Sequence, residues 1–163
     1  MLNPDAEMRW RAARPFVLLG GTAIIAGGLL AAVVGLPGAA ATANLPLRHL
    51  AWASAYLVLI VGVAQIVFGA GQAWLPARVP AAGWVAGEWI VFNLGNAGVI
   101  AGTLFGSFAL VCVGTLLFAA GIALFLLGAR GARRGGWLVG FRVLLGLIFV
   151  SSLIGLALSV QPR

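Results

Sequence analysis

Charge is what this sequence lacks most. Only 8% of its 163 residues are Asp, Glu, Lys or Arg, where soluble domains carry roughly 25%. A chain so poor in charge cannot cover a water-facing surface, so lipid must solvate most of it. Lys is absent: the ten basic residues are all Arg, against three acids. The net charge of +7 gathers in short runs beside apolar segments. It reads there as a topology signal and as lipid-headgroup contact, which argues against a nucleic-acid partner. Arg without Lys points to a GC-rich bacterial genome, hence to the bacterial plasma (inner) membrane. The one cysteine, Cys112, excludes an internal disulfide and a Cys-based metal site. It lies in an apolar run and reads as a small core residue. No Ser/His/acid set, Cys/His pair, paired carboxylates or phosphate-type glycine loop can be assembled. No catalytic residue, metal site or enzyme activity is therefore expected.

What is present is mostly apolar: 63% hydrophobic residues, with a mean hydropathy of +1.12. The apolar runs are continuous and do not alternate, which excludes a β-barrel. The fold class expected is an all-α integral membrane protein: one domain, a compact bundle of transmembrane helices with short loops. Residues 1–15 form a polar tail with Asp5, Glu7, Arg9, Arg11 and Arg14, and Trp10 marks a headgroup boundary. Pro15 opens the first apolar run at a first-turn position, where its missing N–H costs nothing. The Arg-rich start and the alanines near Ala41 mimic a signal peptide. The run from Phe16 to Val34 exceeds the ~7–15 residues of a signal core, so it reads as a retained span. Gly35 to Pro46 is a loop. A second run covers 49–71, and Gly71 to Gly83 is the next loop, with Pro76, Arg78 and Pro80.

Ala86 to Gly128 sets the helix count. As one helix it would be about 64 Å long, against a hydrocarbon core of roughly 30 Å. Gly106-Ser107 is the natural break, because Gly suits a left-handed helix end and Ser a following N-cap. Five spans result, at about 16–35, 49–71, 86–105, 108–128 and 137–160; without the break there are four. Five spans place Arg9, Arg11, Arg14, Arg78, Arg130, Arg133 and Arg134 on one side, leaving Arg48 and Arg163 on the other. By the positive-inside rule the N-terminus is cytoplasmic and the C-terminus outside.

At 100° per residue Glu88, Gly95, Gly98, Gly102 and Gly106 share one side of the third helix, with Asn93, Asn96 and Thr103 opposite. Both sides call for protein, which puts this helix at the bundle centre. Gly62, Gln65, Gly69 and Gln72 form a stripe on the second helix, and Gly114, Gly121 and Gly128 one on the fourth. Such stripes are packing seams, since small residues let membrane helices approach closely. Gln65, Asn93 and Asn96 are the candidate buried polar cluster. An unpaired amide in hydrocarbon costs roughly 2–7 kcal/mol, so helices two and three are expected to be neighbours, with Gln65 bonded to Asn93 or Asn96. His49, Trp52 and Tyr56 form a candidate face at the outer interface. Glu88 reads as an interfacial acid in the first turn of helix three, within reach of Arg78 or Arg142.

The first functional expectation is a non-catalytic accessory, assembly or stabilising subunit, or a small homo-oligomer, working through helix packing in the bilayer. A larger membrane protein is then its partner. The second is a binder or carrier of a lipophilic ligand, using the amides or the His49 face. No cofactor is called for, and quinone, haem and lipid stay open as ligands. A transporter or channel is third, since paired repeats and broken helices are missing.

Overall fold

The computed structural model describes residues 3–36, 47–130, 132 and 135–159, and all regular structure among them is helical. Five helices follow in order: α1 (Pro4–Val34), α2 (Leu47–Trp74), α3 (Ala82–Phe105), α4 (Phe108–Gly128) and α5 (Gly136–Ser159). Four of them are long and apolar enough to cross a membrane; α3 is not among the four. Its 24 residues span about 36 Å, but Glu88, Asn93, Asn96 and its glycines dilute its hydropathy.

The first helix starts well before Pro15. The Asn3 side chain accepts from the Asp5 amide at 3.0 Å, and Pro4 is the first helical residue. An Asn N-cap followed by Pro is a strong start, and Asp5 and Glu7 in the first turn favour the helix dipole. Glu7 also pairs with Arg11 one turn on, at 2.6 Å. The expected polar tail is therefore helical, with Pro15 inside the helix.

α2 is not one regular α-helix. Leu57–Ala64 is wound as a π-helix between the α-helical Leu47–Tyr56 and Gln65–Trp74. This winding sets which way the side chains face. Over the nine steps from Tyr56 to Gln65, an α-helix would place the two about 180° apart. The wider π turn advances each residue by only roughly 80°, so both stay on nearly one face. The same winding keeps Ser54, Val58, Gly62 and Ile66 on α1, where they meet Gly27, Ile24 and Gly20. The second helix therefore has two faces: Gly62 and Gly69 sit against α1, at Ile24 and Phe16. The expected single seam of Gly62, Gln65, Gly69 and Gln72 turned toward α3 is not formed.

Sequence neighbours pair most closely: α1 runs along α2, α3 along α4, and α5 lies against α4. Gly106 ends α3 in the left-handed region at φ 68°, ψ 22°, and the Ser107 hydroxyl accepts from the Leu110 amide at 3.5 Å. The chain turns back there and brings Gly95, Gly98 and Gly102 onto the backbone of Phe118, Gly114 and Val111. A Cβ on Gly98 would lie 2.8 Å from the Gly114 Cα, and one on Gly121 would lie 3.1 Å from the Phe92 Cα. α3 is not the bundle's centre: Ala86, Ile90, Leu94 and Ala97 form an exposed face on it.

The centre is a phenylalanine layer to which every helix contributes. Phe68 of α2 meets Phe92, Phe125 and Phe141 with ring centroids 5.8, 5.3 and 6.0 Å apart. Phe16 meets Phe125 at 5.6 Å, and Phe118 meets Phe92 at 5.3 Å. Most of these rings cross edge-on or tilted, the geometry that aromatic quadrupoles favour. Helix direction alternates along the chain, so the bundle has two distinct ends. One carries the start of α1, the α2–α3 connection and the end of α4, with Arg9, Arg11, Arg14, Arg78 and Arg130. The other carries Arg48, His49 and the Gly106-Ser107 turn. Arg133, Arg134, Arg163 and the loop residues 37–46 lie outside the described residues.

Candidate functional site

Between the His49 end and the phenylalanine layer, α2, α3, α4 and α5 line a half-open cavity of about 550 Å³. Its α2 wall carries Arg48, His49, Trp52, Tyr56 and Ile60, the last of them within the π segment. Val99 and Thr103 come from α3; Val111, Thr115 and Phe118 from α4; Ile148, Ser151 and Ser152 from α5. Trp52 and Tyr56 stack with ring centroids 5.0 Å apart at 33°, forming a broad aromatic wall. The Thr103 and Ser152 hydroxyls donate to the Val99 and Phe149 carbonyls of their own helices, at 2.8 and 2.7 Å. Most of the lining is therefore apolar in character, and polarity concentrates at its two ends. Arg48 and His49 stand at the mouth, and the imidazole Nδ1 is buried without a hydrogen-bond partner. Deeper in, the Tyr56 hydroxyl donates to Asn96 Oδ1 at 2.8 Å. Asn96 Nδ2 donates to the Phe92 carbonyl at 2.9 Å, which fixes the amide and aims its oxygen at the phenol.

The candidate residues thus sort differently from the grouping drawn from the sequence. His49, Trp52 and Tyr56 share one cavity, and Asn96 joins them through Tyr56. Asn93 is turned back on its own helix, donating to the Trp89 carbonyl at 2.8 Å. Gln65 bonds to neither asparagine: it is fully buried, and both atoms of its amide lack a partner. Gln72, fully buried on the other side of Phe68, has an equally unpartnered amide. Tyr56, nine residues nearer the His49 end on the same helix, takes the Asn96 oxygen instead.

Glu88 is buried inside the bundle. α3 starts at Ala82, four residues earlier than expected, which moves Glu88 into the second turn. The carboxyl is fully buried; Oε1 accepts from Trp84 Nε1 at 2.7 Å, and Oε2 has no partner. Neither Arg78 nor Arg142 pairs with it; the one ion pair among the described residues is Glu7–Arg11. Cys112 is a free, half-buried thiol. No group of three His, Cys, Asp or Glu side chains that could hold a metal ion occurs among the described residues. Thr115, Ile148, Ser151 and Ser152 escaped the sequence reading. The Ser151-Ser152 pair inside an apolar run was a visible signal for one wall; nothing marked the others.

Comparison with protein families, characterised proteins and solved structures finds no match.

Proposed function

We propose that the protein is a non-catalytic, bilayer-embedded binder of a small lipophilic ligand, held in the α2–α5 cavity with its polar head at Arg48 and His49. The observation that carries this reading is the cavity's polarity profile. An apolar body with a stacked aromatic wall and a few convergent polar groups is the common form of a ligand site. A guanidinium donates only, and an imidazole can donate, so the head they select is an acceptor such as a carbonyl, phosphate or carboxylate. A quinone or a lipid has that form.

The bilayer setting is part of the proposal. Four apolar helices support it, and α3 follows by construction, since it lies antiparallel against α4 through a tight turn. Five crossings, with the arginine-rich end in the cytoplasm of a bacterium, agree with the positive-inside rule. Arg48 and the ligand mouth then face outward.

Organic extraction of the purified protein, followed by mass spectrometry and an absorption spectrum, tests the reading. One co-purifying lipophilic species is expected, with its occupancy reduced severalfold in Trp52→Ala and in His49→Ala. Extracts that hold only bulk lipid, identical in the wild type and both variants, would refute it.

A second reading keeps the protein as an accessory subunit or homo-oligomer. Gly21 and Gly28 on α1, and Gly136 and Gly140 on α5, have open space where a Cβ would stand, so a further helix can approach both faces closely. Purification in mild detergent tests this one: a monomer with no partner at any concentration would remove it.

A further inference from the structure

A separate, shallow and open cleft of about 560 Å³ lies at the arginine-rich end, bounded by the α2–α3 connection, the start of α3 and the end of α4. Arg78 and Arg130, far apart in sequence, both line it, and Trp84 and Leu127 form part of its wall. Both arginines are exposed, and no ion pair to either occurs among the described residues. Two guanidiniums on one cavity repel each other unless an anion lies between them. The acid nearest this wall is withdrawn: Glu88 sits behind Trp84 and Gly128, bonded to the indole.

Two further features suit an anion. Ala81, the N-cap of α3, also lines the cavity, and it has no side chain to satisfy the first amides of that helix. A long helix presents partial positive charge there. The loop carrying Arg78 is also held in place. Arg9 of α1 donates to the Ala73 and Pro76 carbonyls at 2.6 and 3.3 Å, and to the Ala77 carbonyl at 3.4 Å. Arg9 is thus spent on backbone, and Arg78 has no ion pair among the described residues.

We propose that this cavity binds a phosphate group between Arg78 and Arg130. Guanidinium forks match phosphate oxygens in pairs, and basic pockets between helices on the cytoplasmic side are suited to anionic headgroups. A phospholipid headgroup and a free phosphate share this chemistry. The half-exposed Trp84 beside the arginines favours the lipid, with the indole at headgroup level.

Native mass spectrometry of the detergent-purified protein titrated with phosphatidylglycerol or phosphatidylcholine provides the test, with inorganic phosphate in a parallel titration. Phosphatidylglycerol is expected to bind at least tenfold more tightly than phosphatidylcholine. Each of Arg78→Gln and Arg130→Gln should weaken it by about tenfold, which is one charge-assisted bond, and the double variant by more. Arg14→Gln, an exposed arginine outside this cavity, should change nothing. Both arginines are exposed, so the variants should keep the wild-type melting temperature. If inorganic phosphate binds, the double variant abolishes that binding, and the lipids are not distinguished, the site stands and its ligand is a soluble phosphate. Equal retention of phosphatidylglycerol and phosphate by wild type and double variant, or an equal loss in Arg14→Gln, overturns the proposal.

Discussion

Adding one methyl group at Gly114 should loosen the α3–α4 pair. A Cβ there would lie 2.5 Å from the Val99 amide nitrogen, 2.7 Å from the Gly98 carbonyl carbon and 2.9 Å from the Gly95 carbonyl oxygen. All three are backbone atoms and cannot rotate away. Ordinary contact between carbons is ~3.5–4.0 Å, so the helices must part by about 1 Å, and a gap of that size forfeits roughly a quarter to a half of the dispersion along the seam. Overpacking of this kind costs ~1–3 kcal/mol. Ala gains back ~0.5–1 kcal/mol over Gly in a helix interior, so Gly114→Ala should lose about 1–2 kcal/mol net. Gly21 is the internal control, with nothing within 4 Å of its absent Cβ. Gly21→Ala should show only the gain of ~0.5–1 kcal/mol. Thermal unfolding in one detergent should then separate the two variants by on the order of 5 °C or more. Equal melting temperatures would mean that α3 and α4 do not touch along the glycines, and the packing described above would be wrong.

Three further outcomes are expected. Gly106→Ala forces a Cβ into the left-handed region and should cost ~1–2 kcal/mol in the same melt; no change would mean that the turn adopts another conformation. Gln72→Leu removes two buried groups without partners and should leave stability unchanged or raise it by up to ~1–3 kcal/mol; a clear loss would show that the amide is bonded in the functional state. In a Cys112→Ala background, Ser107→Cys should react with an impermeant thiol reagent from outside intact cells, and Arg78→Cys only after permeabilisation; the reverse pattern would invert the proposed topology.

The elements legible from the sequence were those with chemical punctuation. Gly106 and Ser107 carry their own reasons for ending one helix and starting the next, so the break between α3 and α4 could be placed to the residue. Asn3-Pro4 carried the same kind of signal. It was outweighed by the polarity of residues 4–14, which reads as tail although local capping is enough to wind it. The glycines of α3 announced a close partner, but a Gly ridge does not say which helix fills it. The π segment in α2 has no marker: Leu57–Ala64 is as apolar and as regular as any span. Its effect on phase is why Tyr56, half a turn from Gln65 in a regular α-helix, could not be connected to Asn96 from the sequence. Glu88 was misplaced by a single turn, because Ala82–Val85 has no cap to mark its start.

The pairing of sequence neighbours bears on how the bundle assembles. α1 with α2, and α3 with α4, are helical hairpins whose contacts are local in the chain, and each can close as soon as its second helix has emerged. The phenylalanine layer is where the two hairpins and α5 later dock, because Phe16 and Phe68 come from the first pair and Phe92, Phe118 and Phe125 from the second. Between the hairpins, contact is made by these rings, by the Tyr56–Asn96 bond and by Trp89 Nε1, which donates to the Pro15 carbonyl at 3.3 Å. Truncating Phe68 removes the ring that touches Phe92, Phe125 and Phe141, and so loosens the docking of the hairpins and α5 more than either hairpin itself.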